Sequence, residues 1–215
     1  MSPSSPLLWM IAGLAAILFV GPLVRLGLVA LLAPAIGRAA PEAAPDAITL
    51  EPASGDEWRD VETIDRTGAS LAAEGFAAVG DYAIAELPRE HVRLLVHEGR
   101  DWVAAIHEHP HAGIWCDLVR RHADGTSVTW TTAPATGLED RPGHPVFRVP
   151  GAHPGELFLR ACREAMLTAA VALPADREGA AEEFRAGWAD SVAWWKACGR
   201  SRQDVLRTGV RRLAA

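Results

Sequence analysis

GIWCDLVRRHADGTSVTWTT, residues Gly113 to Thr132, carries the clearest strand–turn–strand pattern in the chain. Two runs of strand-forming residues, Gly113–Arg121 and Ser127–Thr132, flank Asp124-Gly125. An Asp-Gly pair between such runs is a strong hairpin signal, because glycine accepts the positive φ a tight turn requires. Upstream, the same character recurs in Trp102–Glu108, His91–His97 and Phe76–Glu86, separated by Glu98-Gly99-Arg100 and Leu87-Pro88. Spacers this short join antiparallel neighbours, since a parallel return needs a crossover of about a dozen residues or more. The pattern predicts a five-stranded antiparallel meander.

Helices flank it. Ser54-Gly55-Asp56-Glu57 fits a capping box, and Trp58, Val61, Ile64, Leu71 and Ala72 then recur at roughly helical spacing, with Gly75 placed to end the helix. Beyond the meander, residues 131–156 are rich in Pro and Gly. Pro154 opens a helix whose apolar stripe is Leu157, Phe158, Ala161, Cys162, Ala165, Met166 and Ala169, and Pro174 stands past its end. A second helix carries Phe184, Trp188, Val192 and Trp195, with Gly199 after it. A leading helix, a five-stranded sheet and two C-terminal helices make an α+β domain over 54–199.

The N-terminus is of another kind. From Leu7 to Val24 no residue is charged, and as a helix this run covers roughly 27 Å, close to the thickness of a hydrocarbon core. It reads as one transmembrane helix over about 7–25 within an anchor of residues 1–36, with Arg25 at its polar edge. Trp9 is its interfacial aromatic, and Leu14, Leu18 and Phe19 are membrane-facing. A cleaved signal peptide would need a basic start, and Met1–Pro6 has no Lys or Arg. Arg25 and Arg38 follow the helix and no cation precedes it, which places the large C-terminal part in the cytoplasm. Residues 37–53 carry Pro41, Pro45 and Pro52 among alanines and read as a semi-extended tether.

Composition averages these parts. Over 215 residues the chain is 49% hydrophobic and carries a net charge of −6, which argues against nucleic-acid binding. From Arg200 onward five arginines face Asp204 alone. If helical, this tail would offer Arg202, Arg207, Arg211 and Arg212 to anionic lipid headgroups; otherwise it is a solvated basic tail. Cys116, Cys162 and Cys198 form no CxxC pair and read as free thiols in a reducing compartment.

The segment from Leu71 to Thr132, with GFAAVGDYAI after a helix and a Thr-rich Asp-Gly hairpin, resembles bacterial single-pass membrane-anchored proteins that share a GF-x-x-x-G-x-Y opening. The resemblance implies the fold and nothing more; residence in the bacterial cytoplasmic membrane is the expectation from the uncharged run Leu7–Val24 and the arginines after it. No activity comes with the resemblance.

Candidate sites are sparse. His107, His109 and His111 lie in HEHPH, where strand alternation puts His107 and His109 on one face. Imidazoles so placed either hold a metal or form a polar turn ended by Pro110. Val146, Phe147 and Arg148 sit in a proline-stiffened loop that either docks a partner or covers a sheet edge. Trp194 and Trp195 are adjacent on one helix and cannot both face the same core, which points to a partner or a membrane interface. No GxSxG, P-loop, GxGxxG or HExxH occurs, so no catalytic residue or cofactor is expected. The expectation is a non-enzymatic accessory subunit of a larger membrane complex, or else a tethered binding or sensing domain for a small ligand or metal.

Overall fold

The computed structural model describes residues 44–134, 140–165 and 170–198. Its main compact unit, which begins at Pro45 and runs to Trp194, is α+β. Seven strands form one sheet in chain order: β1 (Leu50–Pro52), β2 (Ala77–Ile84), β3 (His91–His97), β4 (Trp102–His109), β5 (Gly113–Arg121), β6 (Ser127–Thr131) and β7 (Val146–Arg148). All neighbours are antiparallel except β6 and β7, which run parallel. Helix α1 (Val61–Ala73) precedes β2, and α2 (Pro154–Ala165) and α3 (Ala180–Cys198) follow β7.

The central five strands are those the sequence predicts, and the bounds of β3 and β5 agree residue for residue. Gly125 closes the β5–β6 hairpin at φ 82°, with Asp124 accepting hydrogen bonds from the Thr126 amide (2.9 Å) and hydroxyl (2.7 Å). Three expectations need correction. The sheet has seven strands rather than five. The first addition, β1, lies inside the stretch read as a tether, where Leu50–Pro52 pairs with Tyr82–Ile84 and Ile48 is buried. The second, β7, comes from the proline-rich loop; the long connection after β6 makes its parallel return possible. The third is the helix that the capping box is expected to open; the box itself is present. Ser54 donates from its amide and hydroxyl to Glu57 (2.8 and 2.9 Å), but the turn it opens is a single 3-10 turn, Gly55–Glu57. Trp58 then turns extended and enters the core, and α1 starts afresh on Asp60, whose carboxylate accepts the Thr63 amide at 3.0 Å. The anchor predicted over 7–25 lies outside the described residues. Among the described residues no helix is long and apolar enough to cross a membrane.

Strand alternation sorts the core into two faces. One carries Leu95, Trp102, Ile106, Cys116, Leu118 and Trp130 and packs against Ile64 and Leu71 of α1 and Leu157 and Phe158 of α2. Each large side chain buried there contributes roughly 1.5–3 kcal/mol. The opposite face carries Ile84, Val92, Leu94 and Ala105, against which Ala181, Phe184 and Trp188 of α3 are partly buried. Ala180 and Val192 of α3 are fully buried.

Candidate functional site

The β4–β5 register places His107 opposite Trp115, and the β3–β4 register places it opposite Val92. The imidazole lies flat on the indole, with centroids 4.6 Å apart and planes 7° from parallel. Trp115 is itself held by its Nε1–H donating to Asp117 at 3.3 Å. Phe184 of α3 closes the site from above, 5.7 Å from the imidazole centroid. Glu90, two residues before Val92, lies on the same face at the mouth of β3. His107 therefore sits between two carboxylates: Asp117 is 3.3 Å from Nε2 and Glu90 is 4.0 Å from Nδ1. Both ring nitrogens are buried, and neither approach has hydrogen-bond geometry. Burial pushes the Glu90 carboxyl above its ordinary range, with His107 and His109 opposing the shift.

A second acid–imidazole pair lies on the other face with a different task. The Glu108 side chain, 1% exposed, accepts the backbone amides of Arg59 (3.0 Å) and Asp60 (2.9 Å) and meets the Arg59 guanidinium at 3.6 Å. It ties the chain entering α1 to the middle of the sheet. His91 is opposite Glu108 in the register, with its Nδ1 3.9 Å from the carboxylate and its ring against Trp58. Next to this row, Arg93 donates to Asp81 (2.6 and 2.9 Å) and Asp65 (2.8 Å), which hold its guanidinium more firmly protonated than usual. These partners occupy Arg93 at the wall of a cleft of about 440 Å³ between α1 and β2.

The predicted site residues separate. His107 is buried, His109 half-buried and His111 exposed. His109 Nδ1 accepts the amides of His111 (3.1 Å) and Ala112 (3.0 Å), closing the β4–β5 turn. The three imidazoles do not assemble as metal ligands. Among the described residues, no group of three or more His, Cys, Asp or Glu is arranged to hold a metal ion. The two acids at His107 flank opposite ring nitrogens, whereas ligands of one ion must converge.

Val146 and Arg148 are spent on closing the edge of the sheet. Asp140 accepts the Val146 amide at 3.0 Å, and Arg148 donates to the Val146 carbonyl (3.3 Å) and to Asp140 (3.2 Å). This blocks the outer side of β7 against strand addition. Phe147 stacks on Trp130 at 4.6 Å and stays 42% exposed. Trp194 and Trp195 are both half-buried. Trp9, Leu14, Leu18, Phe19, Arg25, Arg202, Arg207, Arg211 and Arg212 lie outside the described residues.

Two serine–histidine contacts form: Ser127 Oγ is 2.8 Å from His144 Nδ1, and Ser70 Oγ, which also accepts the Gly155 amide, is 3.2 Å from His153 Nδ1. Arg141 lies against the His144 ring, at Nε2 and 3.4 Å from Nδ1. Burial and Arg141 both lower the affinity of His144 for a second proton. Glu90 and Asp117 had no sequence signal as partners of His107, because only the strand register brings them there. No protein-family model matches the chain, and no curated protein or solved structure shows significant similarity to it.

Proposed function

We propose that this chain is a non-catalytic, single-pass protein of the bacterial cytoplasmic membrane, and that its α+β domain is an accessory subunit of a larger membrane protein complex. The observation that carries the reading is the uncharged run Leu7–Val24 preceding a folded α+β domain. A run of that length is suited to one membrane crossing and keeps the domain at the bilayer surface. The polar clusters fit the reading in what they do: Glu108 holds α1, Asp140 with Arg148 seals β7, and His144 pairs with Ser127. Each serves the domain's own architecture. Phe147 is the exposed aromatic of the docking set and the point at which a partner gains most from contact. Arg25 and Arg38 after the run put the domain in the cytoplasm.

The test is extraction of the full chain from its native membrane in mild detergent, followed by affinity purification. A second polypeptide in fixed stoichiometry that survives a salt wash is expected. Quantitative recovery of the chain alone, with no cross-linked adduct formed before extraction, would refute the reading.

A further inference from the structure

We infer that Arg120, with Arg100 as the second cation, receives a phosphate-type oxyanion at the end of the sheet where β3 turns into β4. Among the described residues five arginines are half-buried: Arg93, Arg120, Arg121, Arg141 and Arg148. Four of them meet a carboxylate, Arg93 at 2.6 and 2.8 Å, Arg121 at 3.9 Å, Arg141 at 3.5 Å and Arg148 at 3.2 Å. Arg120 meets none within 4 Å, and its Nε–H is enclosed without an acceptor. Partly desolvating a guanidinium is unfavourable unless an acceptor replaces the lost water, and at the other four positions an acid does so. At Arg120 no described residue supplies one.

The surroundings of Arg120 hold it in place without neutralising it. The β4–β5 register, which pairs Val103 with Val119, brings Arg120 alongside Trp102, and its guanidinium lies 6.0 Å from the indole centroid. Trp102 is buried and meets Phe158 of α2 edge-on at 6.1 Å. Arg100, in the β3–β4 turn, lies over Phe158 at 5.9 Å and, like Arg120, meets no carboxylate. Across the ladder Trp102 is opposite His97, whose Nδ1 is also buried without a partner. Contact with a ring face orients a guanidinium and leaves its N–H edge free for an acceptor.

The acids of this region are turned elsewhere. Asp101 lines the opposite face of the sheet together with Val103, Arg121 and Glu183. Glu74 lies against Gly155, and Glu98 is exposed in the turn and meets neither arginine. Two unneutralised guanidinium groups on one aromatic floor suit a ligand with more than one charge and several acceptor oxygens. That is the chemistry of inorganic phosphate or a phosphate monoester, whereas a single carboxylate offers one charge. The inference rests on the domain alone, and its failure leaves the accessory-subunit reading untouched.

The experiment titrates the full chain in maltoside micelles with inorganic phosphate, chloride being exchanged to hold ionic strength constant, and follows the arginine Nε–H resonances by NMR. The Arg120 and Arg100 resonances, assigned by their loss in Arg120→Gln and Arg100→Gln, are expected to move along one saturating curve. Those of Arg93 and Arg148, held by their carboxylates, stay in place. Arg100→Gln is expected to raise the midpoint at Arg120 by about tenfold, the loss of one charge-assisted contact. Should Arg120→Gln fail to fold, Arg120→Lys also removes the Nε–H and, lacking the planar fork, is expected to raise the midpoint read at Arg100. A second arm replaces phosphate with phosphatidic acid in the micelles. Equal response to both probes assigns the phosphate group itself as the ligand, and response to the lipid alone assigns a headgroup. No movement of Arg120 with either probe would overturn the proposal. So would a non-saturating drift shared by all the arginines, or a midpoint unchanged in Arg100→Gln.

Discussion

Glu108→Ala is the substitution that tests most sharply how this domain is held together. The carboxylate is the link between the sheet and the chain that enters α1, accepting two backbone amides at 2.9 and 3.0 Å from a side chain with 1% exposure. A hydrogen bond to a charged acceptor contributes about 1.5–3 kcal/mol. Two of them give roughly 3–6 kcal/mol, reduced to about 2–4 kcal/mol because Arg59 and Asp60 lie near the surface, where water can replace part of the loss. Equilibrium unfolding of the full chain in urea and mild detergent, followed by tryptophan fluorescence, reads the change. With a slope of about 1–3 kcal/mol per molar, the midpoint should fall by roughly 1–2 M at unchanged slope. Glu108→Gln keeps one acceptor but turns its amide toward a donor, so it should lie between the two. The reasoning fails if Glu108→Ala shifts the midpoint no more than an exposed substitution such as Glu62→Ala. It fails equally if Glu108→Leu restores stability, because burial alone would then account for the site.

Other consequences follow from single contacts. Asp140→Ala frees the Val146 amide and the Arg148 guanidinium at the β7 edge and should promote concentration-dependent self-association, read by light scattering at low detergent. Gly125→Ala meets no atom within 4 Å, so only its φ of 82° opposes the methyl group, and the cost should be about 1 kcal/mol by the same urea titration. The buried Cys116 thiol, its affinity for a proton pushed up by burial and by Asp117, should resist iodoacetamide at pH 8 until the protein unfolds, whereas the exposed Cys198 reacts in the folded state. Labelling sites identified by peptide mass spectrometry check this.

The parts of the fold legible in sequence are those set by local pattern. Alternating apolar residues and a turn with one stereochemical solution at Asp124-Gly125 define β5 and β6, and the same logic reaches back to β2. The strands at the two ends of the sheet are not local. Leu50–Pro52 becomes a strand because β2 offers a free edge, while the prolines and alanines around it read as a tether. Val146–Arg148 is three residues between Pro145 and Pro150, and only a parallel return beside β6 makes it a strand. The capping box at Ser54–Glu57 is real in its hydrogen bonds, yet burial of Trp58 outweighs helix continuation there. The histidine cluster shows the same division. Alternation puts His107 and His109 on one face, but the residues that matter to His107 come from other strands. Glu90 is seventeen positions away in sequence and reaches it through the pairing of Val92 with His107. Asp117 reaches it through the pairing of Trp115 with His107. His109, nearest in sequence on that face, is taken by the turn.

We propose that this 23.0 kDa chain works as one subunit of a membrane assembly. Native mass spectrometry of the complex released directly from its own membrane tests it most directly. The account predicts a mass exceeding one copy of the chain by at least one whole further polypeptide of different sequence, identified on dissociation. A single species at 23.0 kDa, carrying at most bound lipid, would contradict it.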